Sequence, residues 1–103
     1  MTILAAIAAA GALSSGGVFA QDAQVLLKEH KCYVCHADRE TATGPAFADV
    51  AQKYKGKRAA ATDVAAAIRG GIQGGAPWHM PPHPEITEAE ARAMAAYILS
   101  LPP

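Results

Sequence analysis

The chain's two cysteines stand three residues apart and are followed directly by a histidine, in the run Cys32-Tyr33-Val34-Cys35-His36. Side chains three and four residues apart share one face of a helical turn, so both sulfurs and the imidazole reach the same side. Two thiols so placed can add to the two vinyl groups of one porphyrin while the imidazole coordinates its iron, which fixes the ring at three points. A C-x-x-C pair can also close as a disulfide, work as a thioredoxin-like redox couple or supply half of a zinc site. The thioredoxin-like use expects a βαβ context, and none is visible. Zinc has more in its favour, because His79 and His83 are spaced H-x-x-x-H and could complete a Cys2His2 set. Pro81 and Pro82 stand between those histidines, however, where a zinc finger needs a helix to bring the rings together. Haem is the preferred reading, with zinc and a disulfide as the alternatives.

A haem held from one side by His36 has a sixth iron position that is either filled or open. Met80 is the candidate to fill it, since it stands in an irregular stretch and is followed at once by Pro81 and Pro82. A thioether is soft and neutral; it favours ferrous over ferric iron and raises the potential relative to two imidazoles. His79 is the rival from the adjacent position, although a histidine in a loop is more often solvated than metal-bound. Met94 is read as an ordinary core residue on a helix face.

These groups must be positioned by helices, because no alternating strand pattern of useful length occurs and the apolar residues recur at helical spacing. The fold class is therefore all-α, with about four short helices. The first is expected to start at Asp22 as N-cap and to carry Val25, Leu26 and Glu29 towards Cys32. A second should run from Ala46 to Tyr54, presenting Phe47, Val50, Ala51 and Tyr54, with Gly56 as a stop. A third begins after Thr62 with Asp63 in its first turn, carries Val64 and Ile68, and ends at Gly70 and Gly71. In the fourth, Thr87 and Glu90 form a capping box, Met94, Tyr97, Ile98 and Leu101 line one face, and Pro102 and Pro103 prevent continuation. Between the last two helices, residues 71–85 hold prolines at 77, 81, 82 and 84. They cannot form a regular helix. A long shaped loop in so small a domain is usually functional.

Residues 1–20 contain no charged side chain. Their apolar run from Ile3 to Leu13, followed by Ser14 to Gly17 and Ala20, reads as a secretory signal peptide cleaved after Ala20. The serines and glycines interrupt the run short of the roughly 20 apolar residues that a membrane span requires. A mature domain over 21–103 follows. It carries all nine basic and all nine acidic residues, so no cationic excess is available to hold nucleic acid. With one Trp, three Tyr and two Phe in the whole chain, and much of the apolar content alanine, a domain this small depends on something besides side chains to fill its interior.

With Cys32 to His36, Thr43-Gly44-Pro45-Ala46-Phe47, Met80-Pro81-Pro82 and a terminal helix bearing Tyr97 all in order, the sequence resembles the small class I bacterial monohaem cytochromes c over nearly the whole mature chain. The resemblance implies that fold, one covalent haem c attached at Cys32 and Cys35, and His36 and Met80 as axial iron ligands. It implies that Pro45 offers its carbonyl to the His36 N–H, and that the first and last helices cross with Tyr97 meeting the Val25 and Leu26 region. Relatives often read Gly-Val-Trp-Gly a few residues before the Met-Pro-Pro, with the indole on a haem propionate. Here Trp78 lies two residues before Met80, so it either reaches a propionate or packs as a lid on the haem edge.

The function so implied is single-electron transfer between redox proteins of a respiratory or photosynthetic chain, by a periplasmic monomer that turns over no substrate of its own. Oxidases, reductases or dehydrogenases would be met through a small, transient, charge-complementary interface. Lys28, Lys31, Lys53, Lys55, Lys57 and Arg58 are candidates for its rim, or form an ordinary solvated surface. An enzyme-like or gas-binding haem protein, with its sixth position open, and a haem-free zinc module are the competing classes.

Overall fold

The computed structural model describes residues 20–74 and 79–103, and the segment expected to be the leader, like Trp78, lies outside them apart from Ala20. Four α-helices follow one another: α1 (Ala20–Glu29), α2 (Phe47–Lys53), α3 (Ala60–Gly70) and α4 (Glu88–Ser100). A single 3-10 turn, Cys32–Val34, stands between α1 and α2. The all-α class is as expected, and among the described residues the only extended pairing is an isolated antiparallel bridge between Ile72 and Met80.

Helix α4 packs against each of the other three. Its buried residues Ala91, Met94, Ala95 and Ile98 recur at the spacing of one helix face. They meet Leu27 of α1, Phe47 of α2, and Val64, Ala65 and Ile68 of α3 in one cluster. The capping box is formed as expected: the Glu90 N–H donates to Thr87 Oγ1 and the Thr87 N–H to Glu90 Oε1, each at 3.1 Å. Ile86, wholly buried just before the cap, shares the core with Ala91 and fixes the angle at which the chain enters the helix.

Two helix starts differ from expectation. Helix α1 already includes Ala20, the first described residue, so Asp22 lies inside the helix rather than at its cap. An acidic side chain is favoured at either position by the orphan amides and the helix dipole, so residue type does not separate them. Helix α3 begins at Ala60, ahead of Thr62, because the alanine run is itself a strong helix former and needs no polar cap. Helix α2 also lacks a side-chain cap. Its leading amides are satisfied by the chain after His36, with Phe47 N–H donating to the Ala37 carbonyl at 2.9 Å and Ala48 N–H to that of Asp38 at 2.8 Å.

Among the described residues, half of the 14 buried hydrophobic ones are alanines, and only Leu27, Ile86 and Met94 are large side chains closed off completely. Each of those three contributes about 1.5–3 kcal/mol by burial, a small core for a domain of this length. Around it lie half-buried apolar groups that include Leu26, Cys32, Tyr33 and Met80. So small an apolar core is what a domain that depends on a bound group for its stability would show.

Candidate functional site

Lys31, with φ +60°, turns the chain out of α1 in the left-handed region that non-glycine residues seldom occupy. The turn it opens holds Cys32, Cys35 and His36 together, with the Cys35 and His36 amides both donating to the Cys32 carbonyl, at 3.2 and 2.9 Å. Both cysteines are free thiols and half-buried. Burial, only partly opposed by a backbone hydrogen bond, pushes the Cys32 thiol above its ordinary value. Among the described residues, no three His, Cys, Asp or Glu side chains come together as a metal-binding group. Cys32, Cys35, His79 and His83 therefore do not assemble the Cys2His2 set.

The imidazole of His36 is fixed on several sides. Its Nδ1 lies 2.7 Å from the Pro45 carbonyl. A carbonyl only accepts, so the proton resides on Nδ1 and Nε2 keeps its lone pair, the tautomer required of a metal ligand. Phe47 stacks on the ring with centroids 4.9 Å apart and planes 19° from parallel, and Tyr33 meets Phe47 edge-on at 5.7 Å. Gly44 lies so close that a Cβ there would come within 2.7 Å of Nδ1 and 2.8 Å of Nε2, and closer still to Cε1. The Gly44 amide in turn donates to the Cys35 carbonyl at 2.6 Å. Such a cradle orients the imidazole in the way outer hydrogen bonds orient metal ligands.

A second network ties this turn to the helix crossing. Asp38 accepts from the Tyr33 hydroxyl at 2.9 Å and from the Tyr97 hydroxyl at 2.7 Å, while Gln24 Nε2 donates to the Tyr97 oxygen at 2.7 Å. Tyr97 thus bonds to α1 at Gln24, one residue ahead of the expected Val25 and Leu26 region, and Val25 is half exposed. Helices α1 and α4 pack against each other. Burial first, then the bond to Asp38, pushes both phenols above the usual tyrosine value, with the Gln24 donation partly opposing it at Tyr97. As pH rises past about 10 the unfolded chain gives up its phenolic protons before the folded one does, so stability falls. Tyr97→Phe should lower the stability at neutral pH by about 1–2 kcal/mol and flatten its alkaline decline. A denaturant midpoint unchanged at both pH 7 and pH 11 would contradict that role.

Met80 is half-buried and packs against the core cluster, whereas the adjacent His79 is exposed. The Ile72 N–H donates to the Met80 carbonyl at 3.0 Å. Gly71 makes room for this crossing: with φ +73°, any Cβ would lie 2.6 Å from the Met80 oxygen and 2.8 Å from the Pro82 nitrogen. The rim candidates Lys28, Lys31, Lys53, Lys55, Lys57 and Arg58 are exposed, and the Lys53 and Lys57 ammonium groups sit 5.7 and 5.4 Å from the Tyr54 ring centre. The Gly44 cradle, the Asp38 network and the contacts of Gly71 were missed by sequence reasoning; only the Gly44-Pro45 pair carried a visible signal.

Two free sulfurs beside an imidazole of the metal-binding tautomer, and a core too small for its shell, fit a covalently held haem. Comparison with known proteins agrees. The family model for cytochrome c matches residues 20–102. The chain is 38% identical over 98 residues to cytochrome c-551 of Pseudomonas aeruginosa, covering 94% of this chain and 93% of the relative. It is 41% identical over 96 residues to cytochrome c-552 of Nitrosomonas europaea, covering 90% of each. The crystal structure of cytochrome c552 from the latter organism superposes with a TM-score of 0.71 at 39% identity, over 76% of this chain and 98% of that one.

Proposed function

The chain belongs to the cytochrome c family, whose members carry electrons on one covalent haem c and are not enzymes, and on that premise we propose that it is a periplasmic shuttle between larger redox proteins of a respiratory or photosynthetic chain. Cys32 and Cys35 hold the haem as thioethers, His36 is the proximal iron ligand and Met80 the distal one. Pro45 keeps the proton on Nδ1 and so presents Nε2 to the metal. The observation that carries this assignment is the 2.7 Å bond from His36 Nδ1 to the Pro45 carbonyl, made on the same turn as two unpaired thiols. When bound, the haem iron supplies a centre that takes up one electron and gives it back. Trp78 is assigned to the haem, either on a propionate or as a lid over its edge.

Residues 1–20 direct export and are removed, leaving the domain over 21–103. Thioether attachment follows export, and an oxidising compartment would otherwise close Cys32 and Cys35 as a disulfide. No described helix is long and apolar enough to cross a membrane. The mature protein works as a monomer and meets its partners through brief contacts whose rim includes Lys28 and Lys31, the basic residues nearest Cys32. Short-lived complexes of this kind use small interfaces with complementary charge.

A potentiometric titration tests the carrier role. It should follow a single one-electron curve, and the ferrous protein should refuse carbon monoxide. Rapid uptake of carbon monoxide by the native protein, or sustained turnover of peroxide, would assign it instead to the gas-binding or enzymatic haem proteins.

A further inference from the structure

Residues 71–74 and 79–86 lie between α3 and α4 as the described part of a strap, and beyond Gly71, whose amide donates to the Ala67 carbonyl at the end of α3, that part is hydrogen-bonded to α3 only at Arg69. The His83 N–H donates to the Arg69 carbonyl at 3.0 Å, and Arg69 Nε donates to the Ile86 carbonyl at 2.9 Å. The Ile86 N–H returns to the His83 carbonyl at 3.1 Å, which closes the strap's final turn between those two anchors. Near the strap's start, the Ile72 N–H holds the Met80 carbonyl at 3.0 Å. Apart from a 3.5 Å contact between His30 Nδ1 and Glu85 Oε1, the Arg69 guanidinium makes the only side-chain bond to the strap among the described residues. The buried Nδ1 of the His83 ring makes no hydrogen bond to the protein.

We propose that Arg69 is a positioning residue for Met80: by fastening both His83 and Ile86 to the end of α3, it fixes the length of strap available to the thioether and so keeps the sulfur where a distal ligand must stand. Ile86 is wholly buried and its carbonyl faces a charged donor, a stronger bond than one between neutral groups. Without the guanidinium the strap regains freedom near α4, and every conformer gained there competes with the one that presents Met80. Ligation is weakened although no atom of the ligand has changed.

The inference rests on Met80 as distal ligand, and the test separates the two. In the ferric holoprotein, the far-red charge-transfer band of a thioether on iron reports Met80 itself. Its absence from the wild type would overturn the ligand assignment and the Arg69 role with it. With the band present, Arg69→Met, which keeps the apolar stem and removes the donor, should weaken it and raise the affinity for added imidazole by about tenfold or more, the range expected for one hydrogen bond from a charged donor. Ile98→Val, a core substitution far from the strap in sequence, serves as the control: it should lower the denaturation midpoint and leave imidazole affinity unchanged. Equal affinity in Arg69→Met and wild type, or an equal gain in Ile98→Val, would overturn the role proposed for Arg69 while leaving Met80 in place.

Discussion

Replacing Gly44 with alanine should cost the protein its ordered proximal side. The added methyl would stand 2.7 Å from Nδ1 and 2.8 Å from Nε2 of His36, well inside van der Waals contact. The ring has little room to yield, since the Pro45 carbonyl holds one edge and Phe47 stacks against it. Overpacking of this kind costs about 1–3 kcal/mol, from a total that for a small domain is only about 5–15 kcal/mol. The loss falls on the bond that selects the tautomer, so the yield of holoprotein and the low-spin ferric spectrum should both decline. Gly70→Ala is the matched control, because nothing lies within 4 Å of a Cβ there. It ends α3 without a positive φ, so alanine should be neutral or stabilise by up to about 1 kcal/mol. Equal denaturation midpoints and spectra for the two variants would remove Gly44 from the site.

Met80→Ala should leave haem covalently attached and lower the reduction potential by on the order of 100 mV or more, given that axial ligands span about 0.8 V across haem proteins. A soft neutral thioether favours the ferrous state, and the water or added anion that replaces it is a harder ligand that favours ferric iron. The variant should bind imidazole, cyanide and carbon monoxide more tightly than the native protein does. Met80→His gives the complementary result, a lowered potential with the position still closed. An unchanged potential in Met80→Ala would move the ligand elsewhere, to His79 first, although that side chain is exposed while Met80 packs on the core.

What could be read without the structure was local. Cys32, Cys35 and His36 announce themselves because their chemistry depends on spacings of three and four, which any helical turn satisfies. The capping box at Thr87 and Glu90 was legible for the same reason, and so were the ends of α3 and α4, where Gly71 and Pro102 leave no other choice. Helix starts were less legible: Asp22 suits a cap and a first turn alike, and the alanines before Thr62 need no cap at all. Contacts between distant segments were not legible. The Gln24–Tyr97 bond joins residues 73 apart, and the Tyr97–Asp38 bond joins residues 59 apart. No periodicity marks Asp38 as the acceptor of two phenols. Arg69 reads in sequence as an ordinary cation in the last turn of a helix, and only the fold reveals that its Nε reaches back to the Ile86 carbonyl.

The intact mass of the protein recovered from the periplasm, taken together with its pyridine haemochrome spectrum, bears most directly on the whole assignment. The expected product is coloured, weighs residues 21–103 plus one haem, and gives the haemochrome of a porphyrin whose two vinyl groups have both become thioethers. A colourless protein with the mass of the polypeptide alone would contradict it.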